Sequence, residues 1–298
     1  MTRSCWGVYR ELAHSPGRET DDAEILQATA VELSAHGFAV TLKSPDELPP
    51  ADDPDVPAFL FAMCERVGAV EKLAAWESRG AKIVNRPSGI RNTDRERTIA
   101  LFAGAAVPHP SSVLVDTAAA AAFPGPCWVK RGDVHATEAG DVAYSGDAAT
   151  LAAHLSRLSA RGIGRAVVQG HVPGDLIKFY GVAGLLGGGH TAPPGPPAEA
   201  EAAARPSWFQ WFYHRDQKLE RYAFDEDALA AATSRAAAAL GLEVYGGDAI
   251  VSQDGAISVI DLNAWPSFAL FRSVAAAKIA ALLAARFSRA AVPIGVSR

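Results

Sequence analysis

The sequence predicts a mixed α/β protein in which a small N-terminal domain with an open, mostly parallel sheet precedes a longer region ending in a β-hairpin. Three observations carry this. Over residues 1–90 short apolar segments alternate with helical ones, as in a parallel sheet faced by helices. Residues 165–169 and 176–182 read as two strands joined through Pro173-Gly174-Asp175. Residues 248–263, DAIVSQDGAISVIDLN, read as two strands about Asp254-Gly255. That pair favours a two-residue type I′ turn, because both central positions need φ > 0.

The elements follow in order. Residues 5–9 form a short apolar strand. After a loop, Asp21 and Asp22 open a helix reaching about Gly37, since acids suit a helix N-terminus and glycine its end. Ile25, Leu26, Thr29 and Leu33 recur there at helical spacing. Strands are expected at 38–42 and 59–63, a helix at 69–78 and a strand at 82–85. A helix at 93–104, capped by Asn92 or Thr93, stops before Pro108 and Pro110. Residues 126–130 are a strand and 148–158 a helix. Residues 184–206, rich in Gly, Pro and Ala, read as a long loop open to proteolysis rather than a packed element. An aromatic strand at 208–214 has sheet core as its plainest explanation. A helix at 227–240 ends at Gly241, and the hairpin and a final helix at about 273–286 complete the chain.

The 298 residues are 49% hydrophobic and 20% charged, enough to bury a core and to form two or three domains. A formal net charge of −5 offers no footprint for nucleic acid or an anionic membrane. No apolar run approaches the roughly 18 residues of a membrane span, and the first residues lack a signal-peptide stretch. Cys5, Cys64 and Cys127 are widely spaced, without a metal-ligand pattern, and read as reduced thiols of a cytoplasmic protein.

Folded about a two-residue turn, Asp248 falls opposite Asp261, where Cβ atoms lie about 4.5–5.5 Å apart and like charges repel. Asn263 shares the face of Asp261, as Ile250, Ile257 and Val259 are expected to, so the acids finish an apolar strip. Two carboxylates and an amide oxygen converging there want a hard cation, and Mg²⁺ is the natural one. The alternative is a surface hairpin with solvated acids.

The order of the pieces is more specific than any one of them. A strand ending in Trp128-Val129-Lys130 leads into a polar loop at 131–140. A strand ending in Val167-Val168-Gln169 leads through Pro173-Gly174-Asp175 to Ile177-Lys178-Phe179-Tyr180, and the 248–263 hairpin closes the set. Over about 85–287 this resembles the ATP-grasp superfamily, which includes D-alanine–D-alanine ligase, glutathione synthetase and the ligase that glutamylates ribosomal protein S6. The resemblance implies an α+β ATP-grasp architecture. A Rossmann-like domain over 1–90 precedes a lid subdomain over 91–172 and a C-terminal subdomain over 173–298 that carries the metal-binding hairpin.

The resemblance also implies ATP and Mg²⁺ as cofactors. Lys130 matches the strand lysine on the α- and β-phosphates. Gln169, His171 and Val172 fall on the hinge that receives adenine. Asp175 matches the acid that binds the ribose hydroxyls, and Lys178 the basic residue on the γ-phosphate or substrate. Asp248, Asp261 and Asn263 match the Mg²⁺ ligands. There are three departures. Asp261 stands where the family usually has glutamate. Arg95, after Asp94, stands for an earlier lysine and can still pair with phosphate bidentately. The loop at 131–137 has few glycines, leaving His135 or Thr137 to cover the phosphates.

The implied activity is an ADP-forming ligation. A small carboxylic acid becomes an acylphosphate and an amine displaces phosphate; the protein would be a possible homodimer. A small-molecule kinase is the alternative, against which the acidic net charge argues. A non-catalytic nucleotide-binding protein is another, against which the retained Lys130, Asp248, Asp261 and Asn263 argue. No Ser/His/Asp or Cys/His constellation is evident, as expected where positioning and charge neutralisation do the catalysis. An arginine fork suits the acid's carboxylate, and Arg272, just past the metal ligands, is favoured. Arg215, Lys218 and the loop residues Tyr9, Arg10, Glu11, His14, Ser15 and Arg18 are further candidates. Surface charge or helix capping is the plainer explanation of each.

Overall fold

The computed structural model describes residues 3–132, 138, 140–185 and 205–288. His135 and Thr137, and nearly all of the loop expected at 184–206, lie outside them.

The first sheet contains β1 (Arg3–Val8), β2 (Phe38–Lys43), β3 (Phe59–Ala62) and β4 (Lys82–Val84), all parallel, in the order β2-β1-β3-β4. Gly7 is required within it, because a Cβ there would sit 2.5 Å from the Phe61 ring. The helix α1 (Glu19–Ala35) buries Ile25, Leu26 and Leu33 on one face of the sheet. On the other face, α2 (Val67–Ser78) buries Leu73 and Trp76 against Leu60 and Ile83.

Two helices follow, α3 (Pro87–Asn92) and α4 (Arg95–Gly104). The single helix expected at 93–104 therefore starts later, after Asp94. Asn92 and Thr93 do not cap it: the Asn92 carboxamide donates to the Leu240 carbonyl and the Thr93 hydroxyl to that of Ile90. At six residues, α3 is too short to show an apolar period in the sequence.

The second sheet is antiparallel, with β5 (Ser112–Asp116), β6 (Cys127–Arg131), β7 (Val142–Ser145) and β8 (Arg165–Gly170) in the order β5-β8-β6-β7. Cys127, Val129, Ala166 and Val168 pack on Leu151, Leu155 and Leu158 of α5 (Ala148–Ala160). Alternation puts Trp128, Lys130, Val167 and Gln169 on the other face. The strands β5 and β7, which the sequence did not announce, are the short, half-exposed edges of this sheet.

The third sheet, also antiparallel, orders β9 (Asp175–Val182), β10 (Trp208–Tyr213), β11 (Val244–Val251) and β12 (Ile257–Ala264) as β10-β9-β11-β12. The helix α6 (Glu226–Leu240) covers one face, burying Leu229, Ala236 and Leu240 with Phe179, Val259 and Leu262. The last helix, α7 (Arg272–Ser288), turns back to the first sheet. It buries Ile279, Leu283 and Phe287 with Leu26, Leu33 and Phe38. The beginning and end of the chain thus share one core. Asn85 adds a polar tie: its carboxamide donates to Val244 O (2.7 Å) and accepts from the amides of Glu243 (2.8 Å) and Val244 (2.9 Å).

The β11–β12 hairpin differs from expectation in a way that matters for the site. Only Gly255, at φ 79°, is left-handed; Asp254 is not, so the turn is not type I′. Gly255 N donates to Ser252 O and Ser252 N to Ala256 O, a three-residue connection ending in a left-handed glycine. Ile250 therefore pairs with Ser258, one residue off the two-residue register. A bulge then leaves Ile260 without a partner and restores Asp248 opposite Asp261. The two irregularities cancel. They also separate the acids from the expected apolar strip: Val259 points into the core with Leu262, while Asp261 and Asn263 stay half-buried on the other face.

Candidate functional site

Register assembles one wall of the site. Lys178, Asp248 and Asp261 lie in one row across β9, β11 and β12, and Tyr180, Gly246 and Asn263 in the next. The Lys178 Nζ lies 2.8 Å from Asp248 Oδ1, and both side chains are about a quarter exposed. A Cβ at Gly246 would meet Pro266 Cγ at 2.6 Å and Tyr180 Cδ1 at 2.8 Å. The glycine lets the chain after Asn263 fold back closely over the sheet.

The opposite wall comes from the second sheet. Lys130 is 7% exposed and donates to the carbonyl of Ile260 at 3.0 Å. Arg95, at the start of α4, is equally buried. Its Nη1 donates to Arg131 O at 3.3 Å and its Nη2 lies 3.9 Å from Asp261 Oδ2. These residues, with Val167 and Gln169, line a narrow cleft over Ile260 and Asp261. Burial pushes the Lys130 ammonium below its ordinary pKa, partly offset by Asp261 and Asp248, while neighbouring Arg95 adds to the drop. Burial pushes the Asp248 carboxyl up, and Lys178 opposes it. Burial thus pushes each group towards its neutral form, and the opposite charge facing it works against that shift.

At the far end of the cleft the Gln169 carboxamide donates to the Ser112 hydroxyl at 3.3 Å. Trp128 pairs in register with both Gln169 and Tyr144, and its indole N–H donates to His171 Nδ1 at 3.2 Å. Trp128, Tyr144 and His171 form an aromatic cluster with centroids 5.4–6.3 Å apart. His171 is exposed and Val172 half-buried beside it. Trp128 and Tyr144 were not singled out from sequence. Trp128 could have been, since it lies two residues before Lys130 and so shares its face.

Two of the expected site residues are engaged within the protein. Asp175 is 1% exposed, and its two oxygens accept from the amides of Glu220 (2.9 Å) and Tyr222 (3.0 Å). It therefore anchors the segment after β10 with both oxygens. Arg272 begins α7 and is ion-paired with Asp21, at 2.6 Å, and with Glu24. It fastens α7 to α1 and offers no open fork. Of the other candidates, Lys218 pairs with Glu220 at the surface. Arg10, Glu11 and His14 gather with Asp22 and Glu65 in a charged cluster beyond β1.

The donor set suits a hard cation. Two opposed carboxylates and a carboxamide on one face provide oxygen ligands of the kind Mg²⁺ takes. Among the described residues no group of three or more His, Cys, Asp or Glu could hold a metal, so Asn263 is what brings this set to three donors. The cations Lys130, Arg95 and Lys178 surround it, as a polyphosphate–metal complex would require.

No family model and no functionally curated protein matches the sequence. Solved structures do match over nearly the whole chain. An ATP-grasp RimK domain protein from Sphaerobacter thermophilus is 19% identical with a TM-score of 0.62, covering 94% of this chain and 99% of that one. The ATP-grasp ligase PsnB, complexed with minimal precursor, Mg and ADP, is 17% identical at TM-score 0.60, over 96% and 98%. The D-alanine–D-alanine ligase of Bacillus anthracis complexed with ATP is 11% identical at 0.66, over 96% and 97%. The chain has the ATP-grasp fold.

Proposed function

We propose that the protein is an ATP- and Mg²⁺-dependent ligase that activates a small carboxylic acid as an acylphosphate and joins it to an amine. The observation that carries this reading is the approach of buried Lys130 and Arg95 to Ile260 and Asp261, on the strand that carries Asn263 and in one row with Asp248 and Lys178. The structural likeness to ATP-grasp ligases supports the same class of reaction. Lys130 and Arg95 would bind the phosphates as fixed cations, and the aromatic cluster at Trp128 would flank the base. Lys178 would hold the γ-phosphate or the incoming carboxylate and neutralise charge as it develops. Asp248, Asp261 and Asn263 would hold Mg²⁺, which when bound neutralises the β- and γ-phosphate oxygens.

In the first step a carboxylate oxygen of the acid attacks the γ-phosphorus and ADP leaves with the bridging oxygen. The neutral amine then attacks the acyl carbon, phosphate departs, and the ammonium proton passes to solvent. Burial of Lys130 and Arg95 keeps water away from the phosphates, as an acylphosphate demands.

The test is ADP release by purified protein with Mg²⁺-ATP, a panel of carboxylic acids, and hydroxylamine as the nucleophile. Hydroxamate forming in step with ADP is the expected result. ADP accompanied by a stable phosphorylated product and no hydroxamate would replace the ligase with a kinase.

A further inference from the structure

Arg10 follows β1 in the N-terminal sheet, yet its guanidinium reaches the chain just beyond Asn263. Its Nη2 donates to both Ala264 O and Trp265 O, each at 2.8 Å. These successive carbonyls meet one nitrogen where Trp265 is left-handed, at φ 44°, a conformation that L residues rarely adopt. The indole of Trp265 is fully buried and stacks on Phe61, with centroids 5.7 Å apart. Arg10 is itself fixed: Nη1 lies 3.2 Å from Glu65 Oε1 and Nε 3.6 Å from Asp22 Oδ2, and Asp22 accepts from the Ser15 hydroxyl at 2.6 Å. Its side chain is 11% exposed.

We infer that Arg10 is a positioning residue for the cation site: the N-terminal domain, through this guanidinium, sets the backbone after Asn263 and so the direction of the Asn263 carboxamide. The inference rests on the proposed role of Asp248, Asp261 and Asn263 as metal ligands. Groups that orient ligands from behind command about 10- to 100-fold in metal affinity. Arg10 has the features of such a group, with two bonds to the chain just after Asn263 and two carboxylates fixing its own position. A domain that contributes no ligand thereby becomes part of the metal site.

The experiment titrates the full-length protein with Mn²⁺ in the presence of a non-hydrolysable ATP analogue, following bound Mn²⁺ by electron paramagnetic resonance. Arg10→Lys keeps the charge that Asp22 and Glu65 require, but its compact ammonium cannot reproduce the guanidinium's fork. It is expected to weaken Mn²⁺ about tenfold, while metal-free nucleotide binding in EDTA stays within about twofold. In an Asn263→Ala background the same change should add nothing, because the group through which Arg10 acts is gone. Glu65→Gln, which loosens the guanidinium without altering it, should shift Mn²⁺ affinity the same way by less, and serves if Arg10→Lys does not fold. Mn²⁺ affinity unmoved in the folded variant, or an equal loss with and without Asn263, would overturn the inference. Wild-type protein that takes up no Mn²⁺ would remove the metal reading as well, which distinguishes the two failures.

Discussion

The ammonium of Lys130 bonds the carbonyl of Ile260, the residue of β12 left without a partner by the bulge. The irregularity that restores Asp248 opposite Asp261 is therefore also where the two walls of the cleft touch. Replacing Lys130 by Met removes a charged donor from the phosphate path. Nucleotide affinity measured by calorimetry should fall by about 10- to 100-fold, the worth of a hydrogen bond to a charged group. Unchanged affinity in a folded variant would place the nucleotide elsewhere.

The same lysine gives a pH dependence. Burial lowers its pKa from the ordinary 10.5, so the ammonium required for phosphate is lost at a lower pH than for an exposed lysine. The sign follows: nucleotide binding is fully present below the lowered pKa and declines as pH rises through it, starting before 10.5. Metal-free ADP binding across the alkaline range should show this decline in wild type and lose it in Lys130→Met.

Asp261→Ala should abolish turnover, by on the order of a hundredfold or more, while leaving the fold intact. Removing Asp261 relieves its repulsion with the directly opposed Asp248 and leaves no core cavity, but it also takes from buried Arg95 and Lys130 the carboxylate that faces them. Thermal melts should show one folded transition at a lowered midpoint without nucleotide, and the gain in melting temperature from Mg²⁺-ATP should shrink. Full activity in this variant would end the metal assignment.

Much of this was legible in the sequence, and the rest was hidden for identifiable reasons. Lys178, Asp248 and Asp261 share one row, with Asn263 in the next, because strand alternation and hairpin pairing follow from local pattern. The bulge at Ile260 does not: it compensates a turn offset that only the folded register reveals, and the expectation for Asp248 opposite Asp261 was met by a different route. The engagement of Asp175 and Arg272 was hidden for another reason. Their partners, the amides of Glu220 and Tyr222 and the acids of α1, lie far along the chain, so nothing local announced that both were already engaged.

Asp175 and Arg272 should accordingly behave as structural residues. Asp175→Ala empties a buried site and takes the acceptor from two part-buried amides, at about 1–3 kcal/mol in all, whereas Arg272→Met breaks partly exposed pairs worth about 0–1 kcal/mol. Denaturant midpoints should fall clearly for the first and little for the second. Nucleotide affinity of both, measured on folded protein, should stay within about twofold; a larger loss in Asp175→Ala would return it to the ribose.

Asn85 tests whether the N-terminal sheet and the metal-bearing sheet unfold as one. It is fully buried, lies just past β4, and satisfies the Val244 carbonyl and two amides where β11 begins. Trp265 N also bonds the Val244 carbonyl, so Asn85→Ala leaves the amides of Glu243 and Val244 without this acceptor and should cost about 2–4 kcal/mol. Because α7 also merges the two ends of the chain into a shared core, the loss should appear as a downward shift of one cooperative transition. Coincident melts followed by tryptophan fluorescence and circular dichroism would bear this out. Two separated transitions in the wild type would instead mean that the first sheet folds independently, and that its grip on the chain after Asn263 is made only when the two units dock.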